Sequence, residues 1–268
     1  MKYISCLLAL LLNCFWGTQA MAQDADAFNK IYQRAFLEVA PSSIDSAHFI
    51  ADSLYGVSTT PLFKTRSLML SATLYQQQQQ LEKATQTAEQ AFDIIIPTDH
   101  VDWQVRICGF LATQYRTLRL YKKSKAFCER ALALIPQIQQ PGAAHSAAGL
   151  VNQELAYAAM SVNRYEAAIN HIRSSQQHFD QITQNKKFFT AENEQLLGLN
   201  YFKLNQPDKA LQHYAKSLAL LKDMPDNHIH GLAYNGISAV YIHQGKLPDA
   251  KNTWIAPMPW RRSHNTCN

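Results

Sequence analysis

Small and apolar positions recur along this chain at a fixed helical spacing. In LLGLNYFKLNQPDKALQHYAKSLALL, residues 196–221, Gly198 is followed three places on by Tyr201 and twelve places on by Ala210, with Tyr214 and Ser217 after it. The same order returns as Ala72, Tyr75, Ala84, Ala88 and Ala91, and again as Ala112, Tyr115, Ser124, Cys128 and Ala131, ending on Pro136. Ala156, Ala168, Ile172 and Ser175 carry it around LAYAAMSVNRYEAAINHIRSS, and Ser238, Tyr241 and Ala250 begin it once more. A weaker copy stands first, with Ala35, Ala47 and Leu54. Periods near 3.6 residues within each stretch predict helices. Two antiparallel helices approach closely only where both present small side chains, so the paired small residues mark crossing points. The Tyr three places on lies on the same helical face and fills the gap beside the contact. Asn205-Gln206-Pro207-Asp208 and Gly245-Lys246-Leu247-Pro248 predict the turns inside two of the pairs, each Pro suited to the first turn of a helix.

These segments resemble tetratricopeptide repeats, most fully around Ala112 and Gly198, and the resemblance covers residues 28–253. It implies an all-α, right-handed solenoid of about six antiparallel helix pairs, the last incomplete. The intervals between first small residues are 37, 40, 44, 42 and 40, longer than the family's usual period of about 34. The excess predicts longer helices or longer inter-repeat loops, such as PGAAHSAAG (141–149) and DMPDNHIHG (223–231). Long periods of this kind are similar to the sensor arrays of bacterial repeat regulators that carry a membrane helix and a cytoplasmic helix-turn-helix domain. Neither of those segments is recognisable in this sequence.

In a stacked array of helix pairs the first helices line the concave face. Carrying the family's groove positions onto this chain gives Arg106, Thr113 and Arg116, then Gln153, Tyr157 and Met160. Gln195, Leu199, Phe202 and Lys203 follow, and then Asn235, Ala239 and His243. Amides, cations and aromatics in that mixture suit an extended peptide or a partner helix. The Lys and Asn arrangement that clamps a chaperone's C-terminal carboxylate is missing, so no such partner is expected. Each groove residue could also serve simply to pack its own neighbour.

Composition refines the picture at the two ends. The first 22 residues form a separate segment: Lys2, the apolar stretch Ile4–Trp16, and Ala20-Met21-Ala22. Together they predict a secretory signal peptide cleaved before Gln23, too short in its apolar part for the ~20 residues of a spanning helix. The leader predicts export to the periplasm or cell envelope, with a repeat domain over residues 23–253. Leu-Leu-Asn before Cys14 lacks the small residue of a lipoprotein site. At the other end, LPDAKNTW opens a helix that Pro257 and Pro259 interrupt, and a proline in a helix interior costs about 3 kcal/mol. Trp254, Trp260, Arg261, Arg262, His264 and Cys267 crowd this irregular tail, residues 254–268. Two readings stand: a truncated or frame-shifted end to a longer array, or a short tail that docks Trp254 and Trp260.

The whole chain of 268 residues is 47% hydrophobic and 17% charged, which suits a folded array. Its net charge of +5, +4 without the leader's Lys2, is mild and dispersed, and argues against nucleic acid as a partner. No later segment is apolar enough to cross a bilayer, and nothing in the sequence fixes an oligomeric state. No phosphate loop, dinucleotide fingerprint or H-E-x-x-H motif is present, so neither a cofactor nor an enzymatic activity is expected. His228 and His230 are the closest histidine pair, read as an ordinary loop rather than as metal ligands, and no metal is expected. The glutamine run 76–80 reads as a solvated helix end. Cys108 and Cys128 occupy facing positions within one repeat. They admit a disulfide in an oxidising compartment, against which stands a pair of buried thiols, since helix axes about 8–10 Å apart often leave Cα atoms too distant to bridge.

Overall fold

A computed structural model of the chain describes residues 25–255, with side chains to Thr253. The leader, its cleavage point, and the tail's Pro257, Pro259 and Cys267 lie outside the described residues. Twelve α-helices and no strands occur among the described residues, and they fall into two compact units, before and after the 100/101 junction.

The first unit opens with α1 (Ala25–Arg34), which runs into a single π turn, Ala35–Val39. Helix α2 (Ile44–Val57) follows, capped by Ser43, whose hydroxyl accepts from the Ser46 N–H at 3.2 Å. Thr60 caps α3 (Pro61–Gln77) in the same way at 3.3 Å, with Pro61 in the first turn where its missing N–H costs nothing. Helix α4 (Leu81–Ile95) closes the unit. Ala35, Ala47, Ala51, Leu70 and Leu74 form one core, and Phe28, Leu54 and Phe63 a second. The Arg66 guanidinium lies 4.8 Å from the centre of the Phe28 ring.

The second unit stacks four helix pairs: α5 (Val101–Thr117) with α6 (Tyr121–Leu134), α7 (Pro141–Ser161) with α8 (Tyr165–Phe179), α9 (Lys186–Lys203) with α10 (Pro207–Leu221), and α11 (His228–His243) with α12 (Leu247–Ile255). The predicted crossing residues are buried in every pair. Ala72 with Ala84, Ala112 with Ser124, and Ala156 with Ala168 are fully buried; Gly198, Ala210, Ser238 and Ala250 are buried too. Tyr115 is buried, whereas Tyr75, Tyr201 and Tyr241 are half-buried; Pro136 sits in a short 3-10 turn after α6.

A regularity of the turns was not anticipated from sequence. Gln79, Arg119, Asn163, Asn205 and Gly245 each stand seven residues after the first small residue of their pair, and each has φ between 55° and 74°. The left-handed conformation lets the chain reverse between antiparallel helices. Asn and Gly suit it; Gln79 and Arg119 do not.

Four expectations are corrected or sharpened. PGAAHSAAG is not a loop: Pro141 starts α7, and its alanine-rich run makes the first turns of a 21-residue helix. DMPDNHIHG is a loop only as far as Asn227. His228 and His230 then begin α11, where the Asn227 side chain accepts from Ile229 N–H and the Asn227 N–H donates to His230 Nδ1. The glutamine run is the turn itself, with Gln78 ending α3, Gln79 left-handed and Gln80 preceding α4. Cys108 and Cys128 are not bridged and stand as two buried free thiols. Burial pushes the Cys108 thiol up to about 11 and the Cys128 thiol up to about 12. The thiolate that thiol–disulfide chemistry requires is therefore strongly disfavoured at both.

Candidate functional site

All thirteen candidate groove residues lie in the second unit, on α5, α7, α9 and α11. The first helices of successive pairs lie side by side, and polar side chains tie α5 to α7 and α7 to α9. Glu154 on α7 accepts from Arg116 Nε at 2.5 Å and from Thr113 Oγ1 at 3.0 Å, both on α5. The Arg116 guanidinium also covers the Tyr157 ring, 5.0 Å from its centre. On the far side of α7, Gln153 Nε2 donates to Asn193 Oδ1 at 2.9 Å, and the Tyr157 hydroxyl donates to Glu192 Oε1 at 3.3 Å. Asn200 Nδ2 donates to the Met160 sulfur at 3.3 Å. Gln153 and Gln195, expected as open groove surface, are instead buried.

This ladder has electrical consequences. Glu192 is held above the usual carboxylate range by desolvation, which outweighs its hydrogen bonds from Gln153 and Tyr157. Desolvation, reinforced by the Glu192 carboxylate, also pushes the Tyr157 phenol up, so it stays protonated and donates. Further along, burial alone would raise Glu194, but hydrogen bonds from His213 and Lys216, both at 2.6 Å, hold it below its ordinary value.

Between α5 and α7 the ladder leaves a cavity of about 400 Å³. Its apolar walls are Val105, Phe110, Ala147, Leu150 and Val151, and Cys128 reaches it from α6. Thr113, Gln153, Glu154 and Tyr157 stand together on its polar side, and Arg106 contributes the remaining charge. The volume falls in the roughly 300–1,000 Å³ range of ligand pockets, with a mainly apolar lining and a few convergent polar groups. A larger depression of about 960 Å³ is widely open to solvent; Phe188, Phe189, Leu220, Met224 and Lys187 border it. Its polar border includes Lys186 and Asp180, which pair at 3.6 Å but are both exposed to solvent.

Of the remaining candidates, Leu199 packs against the Tyr214 core, and Phe202 meets the His243 ring edge-on, 5.7 Å between centres. Lys203, Asn235 and His243 are exposed and Ala239 half-buried. Sequence reasoning did not find Glu154, Glu192 and Asn193, which organise the ladder, nor the apolar walls of the cavity. Glu154 stands one position from Gln153 and Asn193 two positions from Gln195, and their roles depend on partners on neighbouring helices. Among the described residues no group of three or more His, Cys, Asp or Glu is placed to hold a metal ion, and no helix is long and apolar enough to cross a membrane.

No protein-family model matches this chain, and no curated protein matches it. Solved structures do. A chain of the Cut9–Hcn1 hetero-tetramer of the APC/C aligns with 85% of this chain at a TM-score of 0.64 and 18% identity. NprR in complex with its cognate peptide NprX aligns with 93% at 0.62 and 14% identity, and a Rap protein complexed with competence and sporulation factor aligns with 93% at 0.68 and 14% identity. This chain spans 40% of the first and 72% and 69% of the other two. At these identities the likeness is one of fold. The fold of this chain is that of a tetratricopeptide-like helical-repeat solenoid.

Proposed function

We propose that this chain is a non-catalytic scaffold that binds an extended peptide, or a peptide-like segment of a protein, across the first helices of its second unit. The observation that carries this reading is the α5–α7 cavity, apolar on its walls and framed by side chains already fixed by hydrogen bonds. Polar groups held in place before binding lose little entropy when a ligand arrives. Support of a coarser kind comes from the neighbours: the NprR structure holds its cognate peptide, and the Rap structure its competence and sporulation factor.

The reading includes export. Lys2, the apolar stretch Ile4–Trp16 and Ala20-Met21-Ala22 would direct the chain to the periplasm or cell envelope, leaving a mature protein that begins at Gln23. Amino-terminal sequencing of the protein recovered from a Gram-negative envelope fraction checks this, and an intact Met1 there would refute it.

Binding is tested by selecting a displayed random dodecapeptide library on the purified chain and measuring the winners by calorimetry. Glu154→Gln would leave Arg116 without its carboxylate and loosen the frame, so selected peptides should bind it roughly ten-fold more weakly. Failure to select any peptide would refute the scaffold reading.

A further inference from the structure

The α5–α7 cavity is open because small residues stand where larger ones would fill it. A Cβ built on Gly109 meets no atom within 4 Å, so the space beside α5 is empty at that point. Cys128, rather than a long side chain, is what α6 contributes to the lining. Around this opening lie Val105, Phe110, Val151 and Leu150, the last 45% exposed although wholly apolar. Glycine in a helix interior is less stable than alanine would be, and here, beside an exposed leucine, it leaves apolar surface facing a vacant slot.

The charges around the slot are unevenly matched. Glu154 is ion-paired with Arg116 and accepts from the Thr113 hydroxyl, while Gln153 and Tyr157 are engaged with Asn193 and Glu192. Arg106 differs. It is exposed, its guanidinium rests 5.5 Å from the centre of the Trp103 ring, and it makes no ion pair among the described residues. A cation stacked on an aromatic face is held in place yet keeps its N–H donors available to a carboxylate.

We infer that this slot takes one bulky apolar side chain, aromatic or leucine-like, from an acidic peptide whose neighbouring carboxylate pairs with Arg106. The inference rests on the peptide-binding reading above and adds which residue types the ligand must carry. Glu154 does not oppose the acidic group, because its own charge is already spent on Arg116. A basic ligand would meet the unmatched Arg106 cation instead.

The test again uses the full chain and a phage-displayed random dodecapeptide library, with Gly109→Leu and Arg106→Glu as variants. Gly109→Leu projects a side chain into the vacant slot; circular dichroism and thermal melting verify that it remains folded, and Arg106→Glu, at an exposed position, probes the same slot without filling it. Peptides selected on the natural chain should be enriched in Phe, Trp or Leu next to Asp or Glu. They should bind Gly109→Leu about ten- to a hundred-fold more weakly, as expected for losing the burial of one such side chain. Selection on Arg106→Glu should shift the neighbouring position from acidic to basic. If peptides are selected but lack the apolar residue, or bind Gly109→Leu unchanged, or keep their acidic preference on Arg106→Glu, the slot assignment is overturned while the groove reading survives. If no peptide is selected on the natural chain, both are overturned.

Discussion

Glycines at two helix interiors of the second unit should respond to the same substitution with opposite signs. The Tyr214 ring is buried between α9 and α11, and a Cβ on Gly198 would fall 2.7 Å from its Cδ1. A Cβ on Gly236 would overlap the other end of that ring. The ring is held by glycine on both sides, so it cannot escape one by moving toward the other. Gly236→Ala is expected to cost about 1–3 kcal/mol through overpacking, despite the better helix propensity of alanine. Gly109→Ala, facing open space in α5, should gain about 0.5–1 kcal/mol. Urea denaturation of the two variants checks both signs at once. Gly198 was legible in the sequence as a crossing-point residue, because its partner Ala210 lies twelve residues away. Gly236 was not, because its meaning depends on a ring supplied by a different helix pair.

The cysteines show the same limit. Their facing register followed from the repeat, but whether two facing thiols bond depends on distances and desolvation that no spacing encodes. With burial holding both well above the ordinary thiol range, neither Cys108 nor Cys128 should react with a thiol reagent at pH 8 in the native protein. Peptide mapping after labelling, with and without urea, reads this out: modification of either in the absence of urea would contradict it.

For the elements, legibility was high wherever two helices of one pair had to meet. The twelve-residue interval between small residues placed every intra-pair crossing, because close helix packing leaves little choice of side chain there. Connections between pairs were harder. PGAAHSAAG has the glycine and proline of a loop, yet proline at a first helical position and alanines behind it are helix-forming, and the outcome follows that local chemistry. The turns inside the pairs carry a further consequence. Arg119 adopts φ 60° in the α5–α6 turn, where Asn163, Asn205 and Gly245 stand in the equivalent turns. A left-handed residue with a side chain costs about 1–2 kcal/mol, and glycine gives back part of that through chain entropy. Arg119→Gly is therefore expected to stabilise the protein by about 0.5–1 kcal/mol, seen as a higher denaturation midpoint at unchanged slope.

At the scale of the whole molecule, the all-helical class and the number of pairs were readable because a repeat states its rule many times over. The binding site was only partly readable. Arg106, Thr113, Arg116, Gln153 and Tyr157 were placed on the inward stripe and do surround or brace one cavity, but the stripe alone could not show which of them are tied up by Glu154, Glu192 and Asn193. The same internal ties predict how the folded state responds to acid. Desolvation lowers His171, and desolvation with the charge of His145 lowers His178, whose Nδ1 lies 3.2 Å from the Nδ1 of His145. Each is therefore neutral in the folded state at a pH where the unfolded chain, with histidine near 6.5, already takes up a proton. The unfolded state then binds more protons, so stability rises with pH through that window and falls as pH drops below about 6.5. Glu194, held below its ordinary value by His213 and Lys216, adds a second loss at lower pH, once the unfolded carboxylate range near 4.3 is crossed. Both histidines are partly solvated, so screening keeps the first loss modest. Thermal melting from pH 7.5 to pH 5.5 should show a falling midpoint, and His178→Gln should flatten that slope while leaving the descent below pH 4.5 in place. A midpoint that rises between pH 7.5 and 5.5 would mean that these histidines gain, rather than lose, proton affinity on folding.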